Sequence, residues 1–351
     1  MGGSGDSSDH GLRRLFEEFT SQEGQIFDNE GRQWILWKTT DLYAWWHAFE
    51  MKSETPLGRK LMNACADEEE HLLARSDILS IGKFRRRTRQ KKVLASRWEQ
   101  FGWGSLDVEG NAAETILHAP IAAGFALAAK ELISSSRQKM EWNQVGQRSL
   151  QFRWTEDNAE LPPASTPPEL AWGSHGQIGF GTAPVLSELE WMNSGWSLGG
   201  EPFCFLPMGL FTRLLHTCRA YKHTLDRETT QAWKLEDMSE SDGSVFLMVT
   251  SSMNALLAGT ERPIYIENHS NWDALIRHYL APFGWGVPVE IHALESLHGI
   301  RFILPNVSSL PFLTGWLVAM WERAHGNTSK FLLNREGKNW CLVIDSRHEY
   351  R

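Results

Sequence analysis

The sequence predicts an α/β (α+β) protein: two tandem copies of a mostly antiparallel sheet packed with helices, joined as an internal pseudo-dimer. Three internal matches predict it. Phe101-Gly-Trp-Gly104 recurs as Phe283-Gly-Trp-Gly286, an offset of 182. Pro120-Ile-Ala-Ala-Gly124-Phe-Ala-Leu-Ala-Ala-Lys-Glu131 matches Pro311-Phe-Leu-Thr-Gly315-Trp-Leu-Val-Ala-Met-Trp-Glu322 at an offset of 191. Upstream, residues 31–49 align with 200–218 at an offset of 169. The landmarks keep their order, and the offset changes only where loops belong. The boundaries that follow are a polar, helical extension at 1–30, copy one at 31–154, an acidic Pro/Gly-rich linker at 155–199, and copy two at 200–351. A fused pair would bury the self-complementary face that a two-fold homodimer buries between chains, so a monomer with an internal pseudo-two-fold is expected.

Within each copy the order reads strand, helix, variable middle, helix, two strands, helix, and a final hairpin. Residues 34–37 and 203–206 are apolar runs of strand length, and 42–49 and 210–218 carry helical periodicity. Residues 272–280 read as a helix entering the second Phe-Gly-Trp-Gly turn. Segments 287–293 and 299–304 alternate as antiparallel strands, closed by Pro305 and Asn306. Pro311 opens the next helix at a position whose N–H has no intrahelical partner. Residues 330–334 and 340–344 flank Glu336-Gly-Lys-Asn339, a hairpin turn. The segment Leu161-Pro-Pro-Ala-Ser-Thr-Pro-Pro168 reads as the stiff start of the linker, and 172–196 is apolar enough to pack onto a copy.

Composition bounds the function. With 42% apolar and 22% charged residues over 351, the chain has material for a core. Four scattered cysteines with no Cys-x-x-Cys pair exclude a disulfide scaffold and a zinc ribbon. The first 14 residues are polar, and the most apolar stretches fall short of the ~20 residues that span a bilayer. A cytoplasmic protein with no membrane span is the expectation.

Net charge is −8, unevenly distributed: −5 in 1–30, +5 in 31–154, −6 in 155–194 and −2 thereafter. One run supplies the positive excess, with Lys83, Arg85, Arg86, Arg87, Arg89, Lys91 and Lys92 inside ten residues. It reads as a solvated helix face or a partner for the acidic run Asp67-Glu-Glu-Glu70, ahead of a patch for an acidic partner. Nucleic acid is disfavoured, because its binders usually carry a broad positive face and this chain is acidic.

From these residues the C-terminal part of each copy resembles the 4-vinyl reductase domain family, related in fold to the TRAPP trafficking subunits. The likeness rests on a glycine inside an apolar helix, an acidic residue at the helix end, and a Cys-x3-Gly-x3-Cys-x-hydrophobic hairpin. In copy two these are Gly315, Glu322, Gly337, Cys341 and Val343; in copy one, Gly124, Glu131, Gly146, Leu150 and Phe152. Leu333 and Trp142 stand where the first hairpin cysteine would be, and a lone Cys341 does not complete a four-ligand zinc site. The resemblance therefore implies a lost zinc site and no cofactor. It further implies binding of a hydrophobic small molecule or a protein partner, rather than a reaction.

The candidate ligand-binding set is Trp46, His47, Trp103, Phe125, His216, Trp285 and Trp316. It follows from the seventeen tryptophans, which could line an aromatic pocket or simply fill a core, and from the alignment of His47 with His216. No catalytic residue is assigned. Glu68-x-x-His71 and Glu322-x-x-His325 have the i, i+3 spacing of di-iron bundles, which makes Glu322 and His325 weak metal candidates. Both motifs read first as surface residues near helix ends. The alternatives to a binding module are a metal-dependent enzyme using Glu-x-x-His and an adaptor using residues 83–92.

Overall fold

The computed structural model describes residues 4–76, 78, 86–109, 111–157, 159–173, 179–192, 195–260, 263–296 and 298–347. It is a mixed α/β protein with three mostly antiparallel sheets. The first half runs α1 (Ser4–Glu18), β1 (Phe19–Gln22), β2 (Gln25–Asp28), β3 (Gln33–Lys38), α2 (Thr39–Glu50), α3 (Gly58–Arg75) and α4 (Arg86–Gln100). It continues through β4 (Ser105–Asp107), β5 (Ala112–Glu114), α5 (Ala119–Ser134), β6 (Gln138–Gln144) and β7 (Ser149–Glu156). The second half opens with β8 (Glu190–Met192), β9 (Gly195–Leu198), β10 (Glu201–Pro207), α6 (Met208–Cys218), α7 (Arg227–Ala232), β11 (Trp233–Leu235) and α8 (Glu240–Ala258). It closes with α9 (Asn271–Tyr279), β12 (Glu290–Ala293), β13 (Ile300–Leu304), α10 (Leu310–His325), β14 (Ser329–Glu336) and β15 (Asn339–Ser346).

The duplication is visible in the sheets. Copy one orders its four strands β4-β5-β7-β6, and copy two repeats that as β12-β13-β15-β14 with β11 added at the edge. The third sheet belongs to both halves, in the order β1-β2-β3-β10-β9-β8. At its centre β3 and β10 pair antiparallel, and Leu36 faces Phe205. Those two residues are equivalent at the offset of 169, so the pseudo-two-fold axis passes between them. β3 is a run of apolar side chains (Trp34, Ile35, Leu36 and Trp37 are all buried) because both faces of this strand are covered. Strands β1 and β2 fall in the segment assigned from sequence to an N-terminal extension, and β8 and β9 in the one assigned to a linker. Each pair extends its own copy's half of the shared sheet.

Each Phe-Gly-Trp-Gly turn docks on the opposite copy. Gly102 lies where a Cβ would come within 2.9 Å of the Phe203 carbonyl oxygen, and Gly284 where it would meet the equivalent carbonyl of Trp34 at 2.5 Å. Both glycines have positive φ, 72° and 87°, which suits the turn and leaves no space for a side chain. Trp103 Nε1 donates to the Phe205 carbonyl at 2.7 Å, locking copy one's turn to β10. Gly286 N–H donates to the Gly24 carbonyl at 2.8 Å, locking copy two's turn to copy one.

The helical glycines serve close packing. A Cβ on Gly124 of α5 would strike the Met62 carbonyl and Cys65 of α3. One on Gly315 of α10 would lie 2.7 Å from the Thr250 carbonyl of α8. The acids at the ends of these helices are structural partners too. Glu131 accepts from Gln138 N–H at 2.8 Å, and Glu322 from Ser329 N–H at 2.8 Å, each fastening its helix to the next strand. No described helix is long and apolar enough to cross a membrane.

Overpacking of this kind costs about 1–3 kcal/mol. Gly124→Ala and Gly315→Ala are each expected to lower stability by that amount in chemical denaturation. Gly146→Ala, whose nearest neighbour would be Ser149 Cβ at 3.8 Å, is expected to leave it within about 0.5 kcal/mol of wild type.

Candidate functional site

A duplicated fold offers every position twice, so a site used once shows where the copies differ. The contacts at Gly124 and Gly315 align α3 with α8, pairing Met62 with Thr250 and Cys65 with Met253, an offset of 188. On that alignment Glu68, Glu69 and His71 of copy one stand opposite Leu256, Leu257 and Gly259 of copy two. The first three are buried, at 2%, 1% and 4% exposure. One of two equivalent helices therefore carries three buried polar or ionisable groups where the other carries apolar ones.

Each buried carboxylate has a cation. Glu68 Oε2 accepts from Arg213 Nε of α6 at 2.8 Å, across the copies. Glu69 receives a bidentate pair from Arg97 Nε and Nη2 at 2.6 and 2.9 Å, and that guanidinium stacks over Phe101. Glu70 lies 3.9 Å from Arg137. Burial pushes the Glu68 carboxyl up from its ordinary value, against the opposing pull of Arg213. Arg213 reaches further: Nη1 donates to Ser165 Oγ at 3.1 Å and Nη2 to the Ser165 carbonyl at 2.5 Å. This fastens the proline-rich segment 161–168 over the junction between the copies.

Beside this junction lies a cleft of about 700 Å³. Copy one contributes Arg32, Gln33, Glu68, His71 and Arg75 to its wall, and copy two Met208, Gly209 and Thr212 of α6, Asn306 to Ser308, and Lys338. Thr166 and Pro167 of the proline-rich segment cover one side. Arg32 Nε donates to Asp28 Oδ2 at 2.7 Å, and its buried Nη1 has no hydrogen-bond partner among the described residues. His71 Nδ1 is likewise buried and without a partner there. Burial first, then the charges of Arg213, Arg75 and Arg32, lower the His71 pKa to about 4, so the ring is neutral near pH 7. Buried polar atoms without partners are uncommon in native structures, and here two of them border one cavity.

The sequence-predicted candidates lie elsewhere. Trp103 is fully buried and stacks on Phe125 at 3.9 Å. Trp285 meets Trp37 edge-on at 4.9 Å and stacks near Phe312 at 5.6 Å. Trp46 and Trp316 are buried in the same core, while His47 and His216 are exposed on α2 and α6. These rings fill the space between the copies, and none of the seven candidate residues lines the cleft.

The Glu-x-x-His motifs separate. Glu68 and His71 are not the surface residues expected: Arg213, reaching across from α6, lets the carboxylate stay inside. Glu322 is committed to Ser329 and to Asn254 Nδ2 at 2.7 Å, and His325 stacks on His298 at 4.4 Å. Among the described residues no group of three or more His, Cys, Asp or Glu side chains is placed to hold a metal ion.

In the basic run, Lys83 and Arg85 lie outside the described residues. Arg86, Arg87, Arg89 and Lys92 are exposed on α4, and Lys91 pairs with Glu109. The acidic run 67–70 is not their local partner, because Glu68, Glu69 and Glu70 point instead to Arg213, Arg97 and Arg137.

No protein-family model, curated protein or solved structure matches this chain. Arg32, Arg75, Arg213 and Lys338 were missed by sequence reasoning. The signal that could have found the site is the exchange of Glu68 for Leu256 between repeats.

Removing one partner of a buried ion pair typically costs about 3–5 kcal/mol, while replacing both with apolar groups is often neutral. Glu68→Leu and Arg213→Met are each expected to lose that much stability in urea denaturation. The double variant, which imitates the apolar copy-two side, is expected to recover most of it.

Proposed function

We propose that this chain is a non-catalytic small-molecule-binding protein, built from two degenerate 4-vinyl-reductase-like copies, whose ligand occupies the cleft between them. The observation that carries the reading is the break in internal symmetry. The buried Glu68–Arg213 pair occurs at one of two equivalent helix interfaces, and beside it two unpartnered polar atoms, Arg32 Nη1 and His71 Nδ1, border a cavity of ligand size. The family resemblance is part of the same proposal, supported by the close-packing roles of Gly124 and Gly315 and by the strand-fastening Glu131 and Glu322.

The commitments of the reactive groups support binding over catalysis. Glu68 is held by Arg213, and burial raises the thiols of Cys65 and Cys204 and pushes Cys218 up to about 12, away from reactive thiolates. The core aromatics are occupied with one another, so the ligand is polar and meets hydrogen-bonding groups, in place of the hydrophobic small molecule that the resemblance implies.

Native mass spectrometry against the denatured mass tests this. The purified chain is expected to carry an excess of a few hundred daltons, or to gain it from a metabolite mixture. Val289→Trp, which adds bulk at the exposed rim of the cleft, is expected to abolish it. An excess retained in Val289→Trp, or a wild-type chain to which no member of the mixture binds, would overturn the proposal.

A further inference from the structure

We infer that the ligand of this cleft carries an oxyanion, a carboxylate or phosphate group, received by Arg32, which lines the cleft with His71. The inference rests on the cleft being the binding site.

Two features converge. Arg32 offers a guanidinium of which Asp28 takes only the Nε side, leaving a buried Nη1 donor that cannot deprotonate. An oxyanion is the acceptor that matches a guanidinium fork, and it would satisfy a donor whose unmet burial is costly.

The second feature is the ring of His71, 96% buried with a free nitrogen. Burial is the main cause of its lowered pKa, and Arg213 on α6, Arg75 on its own helix and Arg32 ahead of β3 add to it. Arg32 lines the cleft with this ring, and its charge disfavours a cationic ligand group there.

The acids around the cleft do not cancel this. Glu68 is neutralised by Arg213, and Asp28 also accepts from the backbone of Glu30 and Arg32 and from Trp34 Nε1. Glu23 and Glu30 are exposed at the rim, matched there by exposed Arg75 and Lys338.

The test is titration of the full chain with inorganic phosphate and with acetate at constant ionic strength, against chloride. The readouts are thermal melting and the NMR resonance of the His71 ring, assigned with His71→Gln. Saturable stabilisation with movement of the His71 signal is expected. Phosphate alone identifies a phosphoryl group, acetate alone a carboxylate, and both a site for either oxyanion. Arg32→Gln is expected to weaken binding about tenfold or more, the loss of one charge-assisted hydrogen bond. Should that variant fold poorly, Lys338→Met on the exposed turn is expected to weaken binding about two- to threefold at low salt through loss of a rim charge. No effect beyond chloride, or an effect unchanged in both variants, overturns the inference. If that failure accompanies a bound mass that Val289→Trp removes, the cleft reading stands and only the ligand class falls; if no bound mass is found either, both fall.

Discussion

The pairing of β3 with β10 is the contact on which the rest of the structure depends. Because Leu36 and Phe205 are equivalent and face each other, the antiparallel ladder places the pseudo-axis and so fixes where each copy's helices meet the other's. With that register set, the turn of copy one falls on β10 and that of copy two on β3, and the glycines there allow the backbones to touch. α2 then packs on α8, and α3 on α6. A one-residue slip would turn Trp34, Leu36, Cys204 and Leu206 to the wrong faces and part the two turns from their carbonyls.

The crossed helix pairs started as equivalents and have taken opposite routes. In the α2–α8 pair, Ala44 and Leu256 stand at the positions that Arg213 and Glu68 hold in the other, and Trp45 touches Phe312 of the neighbouring α10 at 5.3 Å. The α3–α6 pair holds an ion pair inside, an arrangement that rarely stabilises more than apolar residues of the same volume would. Stability therefore gives no account of why Glu68 and Arg213 are there. The hold of Arg213 on Ser165 and the place of Glu68 in the wall of the cleft do, because they put polar atoms in fixed positions facing a cavity.

What was legible in the sequence were signals that act locally. Phe-Gly-Trp-Gly and the helical glycines repeat because each is a point of tight contact with no tolerance for a side chain, and the hairpin around Gly337 follows from a turn needing φ of 62°. Strands β1, β2, β8 and β9 were not legible, since three or four residues carry little periodicity and their place is set by β3 and β10. The cleft was hidden for a related reason: Glu68 and Arg213 are 145 residues apart, and Arg32 joins them only through the fold. Seventeen tryptophans could be read as pocket wall or as filling, and composition alone does not separate the two; the stacked pair Trp103–Phe125 falls on the side of filling.

The shared sheet also sets a timetable for biosynthesis. β3 is apolar on both faces, and its lasting neighbour β10 follows about 160 residues later along the chain. At roughly 5–20 residues per second, a nascent chain would present that open edge on the ribosome for about 8–30 seconds before the strand that covers it is made. The proline-rich segment and the strands before β10 pass through the exit tunnel in that interval. For this molecule the hazard of edge-to-edge association belongs to translation, and fusing the copies shortens it compared with waiting for a second chain to diffuse in.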